Sequence, residues 1–167
     1  SHYIVWTNIH ENHLDRHKTF ENYLNAKLQL VINSLNILKK LFIDINIVNK
    51  IINKSEIIKN LINKDIIIPF AKENELNNIN NNISSLIILG NDKKIYKLKN
   101  NNSEIFLKEI PNVSMPINWL SIIGLIDSLN IKIPSDYFKN KKFTLPEHRL
   151  ENFALKNGIT FFNDSKV

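Results

Sequence analysis

The chain contains no cysteine. This rules out a disulfide framework and any thiolate metal site, and it makes a reducing, cytoplasmic setting the expected one. Glycine is scarce, with only Gly90, Gly124 and Gly158. None of the three precedes Lys-Ser or Lys-Thr, so the sequence holds no glycine-rich loop whose backbone N–H groups could cradle nucleotide phosphates. No apolar run reaches the roughly 20 residues that span a bilayer. The N-terminus lacks the regions of a secretory signal. Ser1 is not an initiator methionine, and Ser1 and Val167 are both expected to be internal positions of a longer polypeptide.

Apolar residues make up 43% of the 167, charged residues 23% and aromatics 9%, the balance of a globular chain with a core. The net charge of +6 suits an anionic partner, whether nucleotide, nucleic acid or membrane surface, without choosing among them. Heavy use of Lys, Asn and Ile accompanies that excess and weakens it as a functional signal. No basic stripe is interleaved with aromatics, so neither a nucleic-acid nor a membrane partner is expected.

Residues 3–9 (YIVWTNI) read as a buried strand and 10–18 as a polar loop. Thr19 is placed to cap a helix running to about Lys40, with Phe20, Leu24, Leu28 and Val31 as its apolar stripe. Strand is expected over 41–48, helix over 54–64, and strand over 65–70, ended by Pro69. The Asn-rich stretch 72–85 reads as a loop. Strands follow at 85–90, 93–99 and 104–110. A helix is expected over 118–129, packed by Trp119, Ile122, Ile123 and Ile126, and a short one over 135–140. Residues 149–165 alternate around Asn157-Gly158, a hairpin signature. Strands and helices alternate through most of the chain, so the fold class is α/β.

Three histidines crowd into residues 10–17. In a polar loop such residues are commonly solvated. His13 and His17 have the i, i+4 spacing of a zinc-peptidase helix, but Leu14 stands where the glutamate base belongs. Lys27 lies four residues from Tyr23 and from Val31, which puts it on the apolar side of its helix. It either snorkels or is partly desolvated. A neutral amine there could take up carbon dioxide as a carbamate, an oxygen ligand suited to Mg²⁺.

The stretch TNIHENHLDRHKTFENYLNAK (7–27) resembles the Mur ligase motif N-x-x-x-D-H-L-D-x-H-x-x-x-x-x-Y-x-x-A-K. LPEHRLENFALKNGITFFNDSK (145–166) resembles the passage from that family's central domain to its C-terminal domain. The resemblance implies a partial P-loop-type central domain over 1–144, a mixed sheet with flanking helices. It implies the opening hairpin of the C-terminal domain over 145–167. Arg16-His17 and Asn163-Asp164-Ser165-Lys166 are most similar to the branch that adds D-glutamate.

The activity so implied is ATP- and Mg²⁺-dependent amide formation between UDP-N-acetylmuramoyl-L-alanine and D-glutamate in peptidoglycan precursor synthesis, by a monomeric enzyme. By resemblance, His13 and a carbamylated Lys27 would serve the metal, and Asn118 would touch adenine. Arg149 would clamp phosphates, Asp164 would hold the ribose, and Lys166 would reach the acyl phosphate. Where the family reads His-Asn-x-x-Asn, this chain has Ser114-Met115-Pro116-Ile117-Asn118, and Asn12 stands where Asp is common. Each residue also has an ordinary reading: Asn118 as a helix N-cap, Arg149 paired with Glu147 or Glu151, and Asp164 with Lys166 as a turn ion pair. His10 and His17 are read as loop or structural residues.

The family's P-loop, and the metal-binding glutamate it places upstream, are missing from the 167 residues. The isolated chain is therefore expected to be inactive. Two alternatives stay open. One is a sister ligase that adds diaminopimelate or lysine, or a folylpolyglutamate synthase-like enzyme. The other is an inactive remnant that binds nucleotide or nucleic acid.

Overall fold

The computed structural model describes residues 1–9, 14–78, 83–100, 102–111, 115–139, 141 and 151–163. Its main element is a six-stranded sheet in the order β1 (Tyr3–Trp6), β2 (Lys40–Asp44), β3 (Ile67–Lys72), β4 (Ser85–Leu89), β5 (Ile95–Lys99), β6 (Asn102–Leu107). β1 to β4 pair in parallel, and β4–β5 and β5–β6 pair antiparallel. The sheet is therefore mixed, and helices flank it, as the sequence implies.

Parallel strands need helical crossovers, and covering both faces of the sheet makes each strand apolar throughout. Successive side chains of β2 go to opposite layers. Leu41 and Ile43 join the core with α2 (Phe20–Ile32), α3 (Ile45–Ile51) and α4 (Glu56–Asn63). Phe42 joins Leu120 and Ile123 of α5 (Pro116–Ser128). β3 and β4 repeat the division: Ile67, Ala71, Leu86 and Ile88 lie on the first side, Ile68, Phe70 and Ile87 on the second. Gly124 is what brings α5 close, because a Cβ there would come within 2.8 Å of Phe42 Cδ1.

Thr19 caps α2, its hydroxyl accepting from the Asn22 N–H at 3.2 Å, and Leu24, Leu28 and Val31 form the buried stripe. The helix stops at Ile32 rather than near Lys40. Asn33 is its C-cap, and Ser34 begins a set of turns. Part of the expected loop is a single helical turn, α1 (Leu14–His17).

The apolar run 41–48 divides into β2 and α3. The Asp44 carboxylate accepts from the Asn46 N–H at 2.8 Å and starts the helix. A continuous apolar run fits a buried strand or a buried helix equally well, and here the cap decides between them. Pro69 lies inside β3 instead of ending it. Pairing with β4 begins only at Phe70, so the missing N–H falls before the strand has neighbours on both sides.

The start of the Asn-rich stretch forms a 3-10 helix, Glu73–Asn78. Hydrogen-bonded turns replace the short helix expected over 135–140. On α5, Ile122 is 44% exposed while Leu120, Ile123 and Gly124 are buried, so the packing face differs from the expected one by one residue. β7 (Glu151–Lys156) and β8 (Ile159–Asn163) form the expected hairpin. Asn157 and Gly158 have φ of 52° and 75°, the left-handed pair that a two-residue hairpin turn requires. The expected domain boundary at 144/145 lies outside the described residues.

The turn between β4 and β5 is fastened by Asp92, which accepts from Lys94 Nζ at 2.6 Å and from Tyr96 OH at 2.8 Å. The Lys94 hydrogen bond, then that of Tyr96, lowers the Asp92 pKa from 3.8 to about 2. A depressed carboxylate stabilises the fold above its unfolded pKa, and that contribution disappears as pH falls through the folded value. Amide chemical shifts across 90–96 are therefore expected to hold down to the ordinary carboxylate range and to change as pH approaches about 2. Asp92→Asn should remove that acid transition.

Candidate functional site: a cleft at the carboxyl ends of the parallel strands

Open α/β sheets bind ligands where the carboxyl ends of their parallel strands leave a crevice. Here β1 runs out into Thr7, Asn8 and Ile9, β2 ends at Asp44, and β3 ends at Lys72. These ends, with Asn46 and Ile47 of α3, Glu75, and Met115, Ile117 and Asn118 at the start of α5, line a cleft of about 280 Å³. Its walls combine apolar surface with amides, carboxylates and the lysines Lys50 and Lys72, a lining suited to a flat heteroaromatic group with polar edges.

Of the residues singled out from the sequence, Asn118 is in this cleft. Met115 is the N-cap of α5 and Pro116 opens the helix, so Asn118 lies within the first turn and is not the cap. The ordinary reading of Asn118 as an N-cap is thereby corrected. The Ser121 hydroxyl donates to the Asn118 carbonyl at 2.9 Å.

Lys27 is not part of the cleft wall. Nor does it lie on the buried side of α2, as its spacing suggested. It is exposed, and its ammonium sits 5.6 Å from the centre of the Tyr23 ring. Val31 and Leu24 point inward while the helical twist turns Lys27 away. Partial desolvation is therefore not its condition in this structure. His17 packs against the same Tyr23 ring, with centroids 5.2 Å apart, which fits a structural role. His10, Asn12, His13, Arg149, Asp164 and Lys166 lie outside the described residues.

A Mg²⁺ site of the implied kind would need His13 together with a carbamate on Lys27. An amine becomes an oxygen ligand only after carbamylation, and among the described residues the contact made by Lys27 Nζ is with the Tyr23 ring. Among the described residues, no group of three or more His, Asp or Glu could hold a metal by itself.

Several residues of the cleft were not anticipated. Asp44 caps α3 and lines the opening. Burial raises its pKa above 3.8, and the nearby Glu75 charge adds to the rise, against the hydrogen bond from Asn46 and the charge of Lys50. Glu75 accepts from the Lys72 N–H at 2.7 Å through Oε2 and from Asn46 Nδ2 at 3.1 Å through Oε1. Glu73 accepts from the Asn91 N–H at 2.7 Å. The 3-10 helix is thus tied to α3, β3 and the β4–β5 turn by its two glutamates. The available signal was the single carboxylate in LFIDINIV, which marks a strand end followed by a helix cap.

A raised carboxylate pKa favours the protonated form in the folded state. Its stabilising contribution is present below the unfolded pKa and is lost as pH rises through the folded value. Asp44→Asn keeps the capping oxygen without the charge. Its stability relative to the parent should therefore increase from pH 4 to pH 7 in thermal unfolding, over roughly the carboxylate range. Asp44→Ala should cost about 1 kcal/mol through loss of the cap.

Residues 1–124 match the Mur ligase middle domain, and the chain belongs to the Mur ligase family. It is 30% identical over 164 residues to the UDP-N-acetylmuramoylalanine--D-glutamate ligase of Thermoanaerobacter sp. (strain X514), covering 95% of this chain and 33% of that protein. It is 29% identical over 159 residues to the ligase of the same name from Caldanaerobacter subterraneus subsp. tengcongensis, covering 95% of this chain and 32% of the relative. A segment of 32 residues is 59% identical to the UDP-N-acetylmuramoyl-L-alanyl-D-glutamate--2,6-diaminopimelate ligase of Clostridium tetani, 19% of this chain and 7% of that protein. The chain spans about a third of the length of the D-glutamate ligases it matches. No solved structure gives a match of comparable significance. Among the described residues, no helix is long and apolar enough to cross a membrane.

Proposed function

We propose that this chain is part of an ATP-dependent ligase that joins D-glutamate to UDP-N-acetylmuramoyl-L-alanine in the cytoplasm, with the cleft at the strand ends receiving the adenine end of ATP. The observation that carries the reading is Asn118. The family motif assigns this residue to adenine, and it lies in the cleft with Ile47, Ile117 and Met115, whose side chains can flank a base. In the reaction, a carboxylate oxygen of the UDP-sugar substrate takes the γ-phosphoryl group and ADP leaves. The amine of D-glutamate then attacks the acyl phosphate carbon, phosphate departs, and the amine gives up a proton as the amide forms. Mg²⁺, held by His13 and carbamylated Lys27, would supply charge neutralisation for the transferred phosphoryl group. Arg149 and Lys166 are proposed to bind phosphate oxygens, and Asp164 the ribose hydroxyls. None of the three glycines precedes Lys-Ser or Lys-Thr, and on that reading the chain alone should not turn over ATP.

A second reading, a ligase that adds diaminopimelate, is favoured by the 59% identity of the segment shared with the Clostridium tetani enzyme. The test is acceptor choice by the gene product that contains this region. Phosphate release with UDP-N-acetylmuramoyl-L-alanine and D-glutamate is expected. Release only with the D-glutamyl-extended nucleotide and diaminopimelate would favour the second reading. Mg²⁺-dependent ATP turnover by the 167-residue chain alone would contradict the expected inactivity.

A further inference from the structure

We propose that Glu75 fixes the amide of Asn46 so that its Oδ1 serves as a hydrogen-bond acceptor in the cleft, selecting a purine with an exocyclic amine over a 6-oxo purine. The proposal rests on the reading of the cleft as an adenine site. An ionised carboxylate only accepts hydrogen bonds, so the amide edge that faces it must be the NH₂. Asn46 Nδ2 donates to Glu75 Oε1 at 3.1 Å, and Glu75 is held in turn by the Lys72 N–H on Oε2 at 2.7 Å. Each carboxylate oxygen thus has its own donor, on two different elements. The Asn46 backbone is anchored as well, because its N–H donates to the Asp44 side chain at 2.8 Å.

With both ends of the residue held, the side chain cannot reverse its amide without setting a carbonyl against the carboxylate. What Asn46 has left to offer is the second Nδ2–H and, beside it, Oδ1. That oxygen suits the 6-amino group of adenine and repels the 6-oxygen of hypoxanthine or guanine. A site built to pair with such a group rejects an analogue that leaves the polar atom unmatched. Asn46 and Glu75 both line the cleft, so the pair stands where a base would lie. Glu75 is a positioning residue acting through Asn46, and the discriminating contact belongs to Asn46.

Base selectivity is a readout that general loosening of the fold does not produce. The chain is titrated with ADP and with inosine diphosphate, followed by two-dimensional NMR, for the parent, Glu75→Gln and Asn46→Ala. The parent should bind ADP about tenfold more tightly than inosine diphosphate, the scale of one well-made hydrogen bond against an unmatched acceptor pair. Glutamine can donate as well as accept, so Glu75→Gln frees the Asn46 amide to turn. The ratio should then fall to about two, with inosine diphosphate gaining affinity. Asn46→Ala should show the same loss of preference without further loss on adding Glu75→Gln, the non-additivity of residues acting as a unit. If the parent binds both nucleotides equally, the inference fails while the nucleotide cleft stands. If Glu75→Gln keeps the full preference, Glu75 does not position the amide and the proposal is overturned. If neither nucleotide perturbs the cleft resonances, the adenine reading fails and the inference fails with it.

Discussion

Phe42→Ala is expected to lower stability by about 3–5 kcal/mol, the cost of emptying a fully buried aromatic site. Phe42 is 1% exposed in the middle of β2, and its ring lies against the helix face opened by Gly124. The thermal midpoint should fall by roughly 10 °C for a chain of this size. Gly124→Ala tests the same contact from the other side. Alanine gains about 1 kcal/mol of helix propensity over glycine. Its methyl group would lie 2.8 Å from Phe42 Cδ1 and 3.0 Å from Cε1, atoms in the body of a packed ring. Overpacking of that kind costs about 1–3 kcal/mol, so the net effect should be destabilising. Combining Gly124→Ala with Phe42→Leu should cost less than the sum of the two, because the smaller side chain vacates the disputed volume. Strict additivity in denaturant unfolding would refute the contact.

The second large effect concerns Lys27. We expect Lys27→Arg in the full ligase to reduce turnover by about a hundredfold or more, a barrier increase of about 3 kcal/mol. Arginine keeps the positive charge and much of the reach, but it cannot form the carbamate. The exposure of Lys27 makes this a clean separation. Its only described partner is the Tyr23 ring at 5.6 Å, and replacing an exposed residue usually changes stability by no more than about 0.5 kcal/mol. A variant with an unchanged melting profile and near-normal turnover would remove Lys27 from the proposed machinery. Incorporation of isotopically labelled bicarbonate into the parent, but not into Lys27→Arg, would be the chemical counterpart.

Signals tied to one residue's own backbone chemistry were legible in the sequence. Thr19 caps α2 because its hydroxyl reaches the N–H three residues on, and Asn157-Gly158 turns because both residues accept positive φ. Helix and strand could not be distinguished where periodicity is silent. The stretch Ile45–Val48 is apolar enough for either, and only the Asp44 side chain, curling onto Asn46, makes it α3. Pro69 misled because its cost depends on whether a neighbouring strand has begun to pair, a tertiary fact.

The site was legible in part for the same reason. The motif directed attention to Asn118, and the cleft contains it. Asp44, Asn46 and Glu75 belong to no motif, and they meet only because the ends of β2 and β3 fold side by side. Lys27 was read from spacing as inward-facing, yet position four from two apolar residues straddles the edge of a stripe, and the structure turns it outward.

Polarity offers β2 little protection against a shifted pairing, since Leu41, Phe42 and Ile43 are all apolar and would be accepted by either layer. What distinguishes the right alignment is volume: a single notch in α5 at Gly124 takes an aromatic ring, and a strand displaced by one position would present an aliphatic side chain there and force the ring into the opposite layer. A residue with no side chain therefore acts as a key for strand alignment, and sequences that fill the notch should fold through a larger share of misaligned intermediates.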